Sequence, residues 1–315
     1  MTNGSLSNNP TRKGKTFRFG PPRKRINFLA YALIAPALIS FLLFLAYPLL
    51  RTLVGSFYEF GLVETTNRFV GMANFVELSG DPVFWIALRN NMIILIGSVI
   101  IQVGLGVILA AILNRGVRRA SGLFQLIIFA PMVMSGAAVG LLWQLVYEPS
   151  VGILNQILRV FGIPTPMLGW LGDPNIAIYA VLFVACWQYT GFMMVMLLAG
   201  MQSVPPELYE AAKIDGANEI QSFRYITIPG IRNVLIAAIL ITAIGAFKAF
   251  DIIYVLTLGG PANASQVLGG YLYKNAFTLD RMGYASAIAV VLLCITLALG
   301  LLQLRLARTD ARGAP

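Results

Sequence analysis

Six apolar stretches separated by short polar segments organise this chain. Uncharged runs occupy 28–50, 90–113, 123–147 and 176–201. A fifth, 234–258, is interrupted by Lys248 and Asp251, and a sixth covers 284–304. A helix needs about 20 apolar residues to cross a bilayer. The pattern therefore predicts an all-α integral membrane protein with six transmembrane helices and both termini on one side. Residues 1–27 are polar, basic and rich in Gly, Pro and Asn, which predicts a disordered tail. The membrane domain then covers 28–307, and 308–315 form a second tail on the same side. The run behind the first tail is too long for a cleavable signal and ends in no small-residue cleavage site.

Composition supports this reading. The chain is 58% hydrophobic and 11% charged, where soluble domains carry about 25% charged residues. The net charge of +10 reflects Lys and Arg flanking the spans rather than a nucleic-acid surface. Sixteen of these cations lie in 1–27, 305–315 and the loops 114–122 and 202–233, against six in 51–89, 148–175 and 259–283. Such asymmetry predicts cytoplasmic termini and a cytoplasmic 202–233 loop. Without histidine, imidazole metal sites and the usual general base are excluded. Cys186 and Cys294 sit inside apolar runs and read as small buried hydrophobes. Gly14-Lys15-Thr16 resembles the end of a phosphate-binding loop, but the glycine five residues earlier is absent and no strand precedes it. Neither a catalytic residue nor a cofactor or metal site is expected in this chain.

The longest polar segment between two spans contains EAAKIDGANEIQSFRYITIP, Glu210 to Pro229. Pro205-Pro206 can open a helix, because proline is tolerated in a first turn. Glu207 and Glu210 near its N-terminus complement the helix dipole. Ala211 and Ala212 keep its surface small, and Gly216 permits the left-handed residue that ends a helix. Phe223, Tyr225 and Ile226 begin a second amphipathic segment, which Pro229 closes. The element reads as a helix-turn-helix, either a connector lying on lipid or a surface for another protein. Its four acids, Glu207, Glu210, Asp215 and Glu219, outnumber its three bases and favour the protein.

Lys248 and Asp251 are the charges well inside a span. A charge near the bilayer centre costs about 2.5–3.5 kcal/mol on insertion scales, so it pairs or faces water. Their spacing allows them to pair. On a continuous helix Phe247, Asp251 and Tyr254 share one face, with Lys248 at its edge. Two readings stand, a structural ion pair or a polar surface with two aromatic rings that contacts a sugar. Trp187, Gln188 and Tyr189 in the fourth run are further candidates for such a pathway. Gly136-x-x-x-Gly140 signals close helix packing.

The 210–229 block resembles the cytoplasmic signature of ABC-transporter permeases: Glu210, Ala211, Ala212, Gly216, Ile226 and Pro229 match, with Ile228 where that family usually has Leu. Further resemblance lies in Phe69-Val70-Gly71-Met72-Ala73-Asn74-Phe75, in Trp143 with Gly152-Ile153-Leu154-Asn155, and in Leu198-Ala199-Gly200-Met201-Gln202-Ser203. Phe250 to Thr257 followed by Gly259-Gly260-Pro261 is the block most specific to sugar permeases. The chain departs from the pattern at Gln125, Ser135 and Gly191. The resemblance covers nearly everything after residue 28 and is to carbohydrate-uptake permeases of the branch holding the first subunit of maltose and glycerol-phosphate systems. It implies a type I importer fold in a bacterial or archaeal plasma membrane. It also implies a second homologous permease, two ATPase subunits that bind ATP and Mg, and an extracytoplasmic sugar-binding protein. Glu210, Ala211, Ala212, Asp215, Gly216, Ile226 and Pro229 would then form the ATPase-coupling surface, with Glu210 meeting a basic residue in an ATPase groove. The cargo could equally be a polyol, a glycerol phosphate or a modified sugar. An ion-coupled secondary transporter would show internal repeats and several membrane carboxylates. Neither is seen in this sequence, and a membrane enzyme lacks a nucleophile–base pair.

Overall fold

The computed structural model describes residues 28–63, 67–115 and 121–311. The expected disordered tail, Gly14-Lys15-Thr16, Arg118, Arg119 and residues 312–315 lie outside them. The chain divides into two compact units, Met1–Leu49 and Leu50–Pro315. The described part of the first is helical from Phe28, with Pro36 inside the helix and one π turn at Leu42–Ala46. Leu38, Leu43 and Phe44 are exposed, the signature of a helix solvated by lipid or by other membrane helices.

Four helices among the described residues are long and apolar enough to span a membrane: Leu33–Gly55, Pro82–Asn114, Ala177–Gln202 and Met282–Gln303. Two bent pairs raise the number to six: Gly122–Val133 with Gly136–Tyr147, at 99°, and Glu219–Gly230 with Arg232–Lys248, at 70°. The second span starts eight residues earlier than the apolar pattern indicates, because Asp81 caps it, accepting from Val83 N at 2.8 Å, and Pro82 occupies its first turn. The final helix continues past the sixth apolar run to Ala311.

The third and fifth spans depart from the expected continuous helices. The third breaks where Pro131 removes a backbone donor and Ser135 turns extended to cap the next helix through Ala138 N. The fifth stops at Lys248, with Ala249 and Phe250 outside helical geometry, and resumes as Asp251–Thr257. No glycine or proline marks that second break. Phe247, Asp251 and Tyr254 therefore do not share the face of one helix.

A helix end leaves carbonyls without intrahelical partners, and burying them unpaired is costly. Both breaks are met by buried amides on the continuous spans. Gln188 donates to Met134 O at 3.0 Å. Asn91 donates to Ala246 O at 2.8 Å and accepts from Leu268 N at 2.9 Å. Its neighbour Asn90 donates to Ala264 O and Gln266 O, both at 2.8 Å. Asn91→Leu orphans the Leu268 donor and the Ala246 acceptor, each worth about 1–3 kcal/mol. We expect a clearly lower apparent Tm in detergent; an unchanged Tm would show that this clasp does not hold the break.

The outer segments of the two broken spans pack on each other. Gln144 donates to Val255 O at 2.6 Å. A Cβ built on Gly136 would meet the Asp251 carboxylate, and one on Gly140 would lie 2.8 Å from Val255 Cγ1. Gly136-x-x-x-Gly140 is thus the seat of Asp251 and Val255, the close approach such spacing permits. Buried residues around this pair form one core cluster, including Val139, Trp143, Val184 and Ile252. A second core joins Ala177–Gln202 to the 203–231 segment through Met194, Leu197 and Ile231.

At the end of the bundle away from that segment the loops close on one another. A two-residue antiparallel ladder pairs Tyr58 with Phe69 and Glu59 with Arg68. Asn74 donates to Ser56 O and Tyr58 O at 2.9 and 3.0 Å. Arg281 pairs with Glu77 at 2.6 Å. Asp81 accepts from the hydroxyls of Tyr271 and, at 2.5 Å, Tyr284. Burial works to raise the Asp81 carboxyl, but these donors and the Val83 N–H together hold it below its usual range.

Candidate functional site

The 203–231 segment presents a built surface. Helix Pro206–Ile214 carries Glu207 in its first turn and Lys213 in its last, both favoured by the dipole. It ends in a Schellman motif: Ala217 N donates to Ala212 O at 2.9 Å and Gly216 N to Lys213 O at 3.1 Å, with Gly216 at φ +78°. The second helix begins at Glu219, earlier than Phe223. Asn218 and Gln221 form a capping box, with bonds of 2.8 and 2.9 Å. The Asn-x-x-Gln spacing was the signal for it. Pro229 lies inside the short helix Ile228–Gly230 rather than closing the segment.

Glu210, Ala211, Asp215, Gly216 and Pro229 are exposed, while Ala212 and Ile226 are half-buried. Ile226, Phe223 and Tyr209 pack against the core of the spans. Tyr209 and Thr227 bond through their hydroxyls at 2.9 Å. Four large apolar side chains, Leu208, Ile214, Ile220 and Tyr225, stay exposed on the same element. The element is thus packed on the membrane helices on one side and exposes both charged and large apolar side chains elsewhere.

A cavity of about 420 Å³ lies at the break of the fifth span. Lys248, Asp251 and Tyr189 line it together with Ser98, Gln102 and Thr242 on an otherwise apolar wall. Its size falls in the range of small-molecule sites, about 300–1,000 Å³. Lys248 is the last residue of one helix and Asp251 the first of the next. No ion pair joins them among the described residues, and both residues line the cavity. The dipole of the following helix favours a carboxylate at position 251.

The remaining sequence candidates lie elsewhere. Phe247 is buried in the protein. Gln188 is 1% exposed; its Nε2 donates to Met134 O, and its buried Oε1 has no hydrogen-bond partner among the described residues. Trp187 stacks edge-on against Trp143 at 5.5 Å. Tyr254 faces a separate pocket with Tyr273. Ser98, Gln102 and Thr242 were missed by sequence reasoning, since isolated small polar residues in an apolar run give no periodic signal.

The family model for the binding-protein-dependent transport system inner membrane component matches residues 102–309. The probable ABC transporter permease protein YurN of Bacillus subtilis is 43% identical over 282 residues, which is 89% of this chain and 96% of that protein. The lactose transport system permease protein LacF of Rhizobium radiobacter is 36% identical over 279 residues, 87% of this chain and 92% of that protein. Among solved structures, a chain of the bacterial alginate ABC transporter in complex with an alginate pentasaccharide-bound periplasmic protein aligns with a TM-score of 0.77. It is 24% identical and covers 90% of this chain and 94% of that one.

Proposed function

Because this chain belongs to the family of binding-protein-dependent transport system inner membrane components, we propose that it is the permease subunit of an ATP-driven importer of a sugar or oligosaccharide. The fold is that of a type I ABC importer permease. The observation that carries the sugar reading is the cavity. An unpaired carboxylate at Asp251, an ammonium at Lys248 and the phenol of Tyr189 offer acceptors and donors to hydroxyls. The apolar remainder of the wall packs on carbon-bearing ring faces.

The 203–231 segment is the coupling surface in this reading. Its face is cytoplasmic, as the Lys and Arg asymmetry indicates. Glu210, Asp215 and the exposed apolar side chains sit in a groove of an ATPase subunit, where ATP and Mg bind. Closure of two ATPase subunits moves the segment as a rigid body. The Ile226 and Tyr209 contacts carry that motion into the spans. A second permease completes the pathway, and an extracytoplasmic protein delivers the cargo.

The test is uptake by the assembled transporter in proteoliposomes with its binding protein, using lactose, trehalose, maltotriose and arabinotriose as labelled probes. Import of at least one, dependent on ATP, is expected. Asp251→Ala should then raise the half-saturating concentration about tenfold, the loss of one or two charged hydrogen bonds. Uptake driven by an ion gradient without ATP would overturn the reading, and an unchanged Asp251→Ala would remove that residue from the pathway.

A further inference from the structure

A second pocket lies beyond the break, on the side away from the 203–231 segment. Its volume is about 260 Å³, and Tyr254 and Tyr273 wall it with ring centroids 5.1 Å apart. Lys274 and Thr278 stand exposed at the rim. The floor is Gln266, which is 2% exposed. Its main-chain N–H and C=O are both bonded, to Asn263 O and from Asn90 Nδ2. Its side-chain amide has no hydrogen-bond partner among the described residues. The amide borders the pocket, where a polar occupant can pair with it. Ile253 lines both this pocket and the 420 Å³ cavity.

We propose that this pocket is an outer carbohydrate subsite, holding one sugar ring immediately before, or while, another part of the cargo occupies the cavity. The inference rests on the carbohydrate reading above. Aromatic walls accept the apolar C–H face of a pyranose. The amide of Gln266 donates to one hydroxyl and accepts from another. The ammonium of Lys274 and the hydroxyl of Thr278 meet hydroxyls at the open edge. An aliphatic ligand would leave the Gln266 amide unpaired, and a small inorganic ion would not use the two rings. Ile253 is then the threshold between the subsites.

The assembled transporter with its binding protein provides the test, using the same four sugars. Tyr273→Ala and Gln266→Met should each raise the half-saturating concentration for an imported trisaccharide by about fivefold, the size of one stacking or amide contact. The maximal rate should stay within about twofold, and Tyr273→Phe, which keeps the ring, should restore the wild-type value. A merely structural role would instead lower the maximal rate and the yield of assembled complex. Should the Ala or Met variant fail to assemble, Lys274→Cys decides: the imported sugar should slow its reaction with a membrane-impermeant maleimide. Import with unchanged half-saturation and unprotected Lys274→Cys would overturn the subsite while leaving the carbohydrate reading intact. Import of none of the sugars would overturn both.

Discussion

Gly216→Pro is expected to leave a transporter that reaches the membrane but neither imports nor raises its ATP hydrolysis when the binding protein is added. The native residue sits at φ +78°, and proline is held near −65°. Proline also deletes the N–H that donates to Lys213 O. Loss of both features costs about 3 kcal/mol or more at this turn. That is enough to release helix Pro206–Ile214 from its place beside Asn218. The spans themselves hold, because a Cβ at Gly216 meets no atom within 4 Å. Import and binding-protein-stimulated hydrolysis should both fall at least about tenfold, with basal hydrolysis and complex yield preserved. Gly216→Ala, strained by about 1–2 kcal/mol, should fall between. Wild-type stimulation in the proline variant would show that this turn does not transmit motion.

The second large effect is expected at Gly136. Leucine there must share its space with the Asp251 carboxylate, which a bare Cβ would already meet. Overpacking of this kind costs about 1–3 kcal/mol, and a displaced charge in a membrane adds to it. The pair of outer segments should separate, with uptake lost and the apparent Tm reduced. Gly140→Leu, which meets Val255, should behave alike. Gly104→Ala is the control: its Cβ meets nothing within 4 Å, and alanine is the better helix former. If Gly136→Leu melts and transports as the wild type does, the glycine seat is not what holds the two broken spans together.

These residues also show what the sequence makes legible. The spans and the turn at Gly216 follow from hydrophobic run length and from a residue that tolerates positive φ, both local properties. So does the small-residue spacing of Gly136 and Gly140, although its partner on the other helix does not. The break at Ala249-Phe250 is invisible locally, since alanine and phenylalanine are ordinary helix residues. Asn91, 155 positions before Ala246, pairs the Ala246 carbonyl beside the break. The same holds for Gln188, whose place in an apolar run suggests a pathway but whose donor is bound to Met134 O. Asn74 and Asn155 repeat the pattern in the loops, each tying two carbonyls. Lys248 and Asp251 flank the break in the fifth span, and the helical face drawn through them failed because the helix ends between them.

An unbroken helix is a strut: a push at one end arrives at the other. The two non-helical residues after Lys248 turn that strut into a jointed linkage with separate anchors. Arg232–Lys248 follows the segment that carries Gly216 across a 70° bend, whereas Asp251–Thr257 is bolted to Gly136–Tyr147 through Gln144 and the glycine seat. In the coupling reading proposed above, displacement entering at Arg232 is taken up at the joint. In that reading the separation of an ammonium and a carboxylate changes across the joint, and with it the electric field inside the cavity.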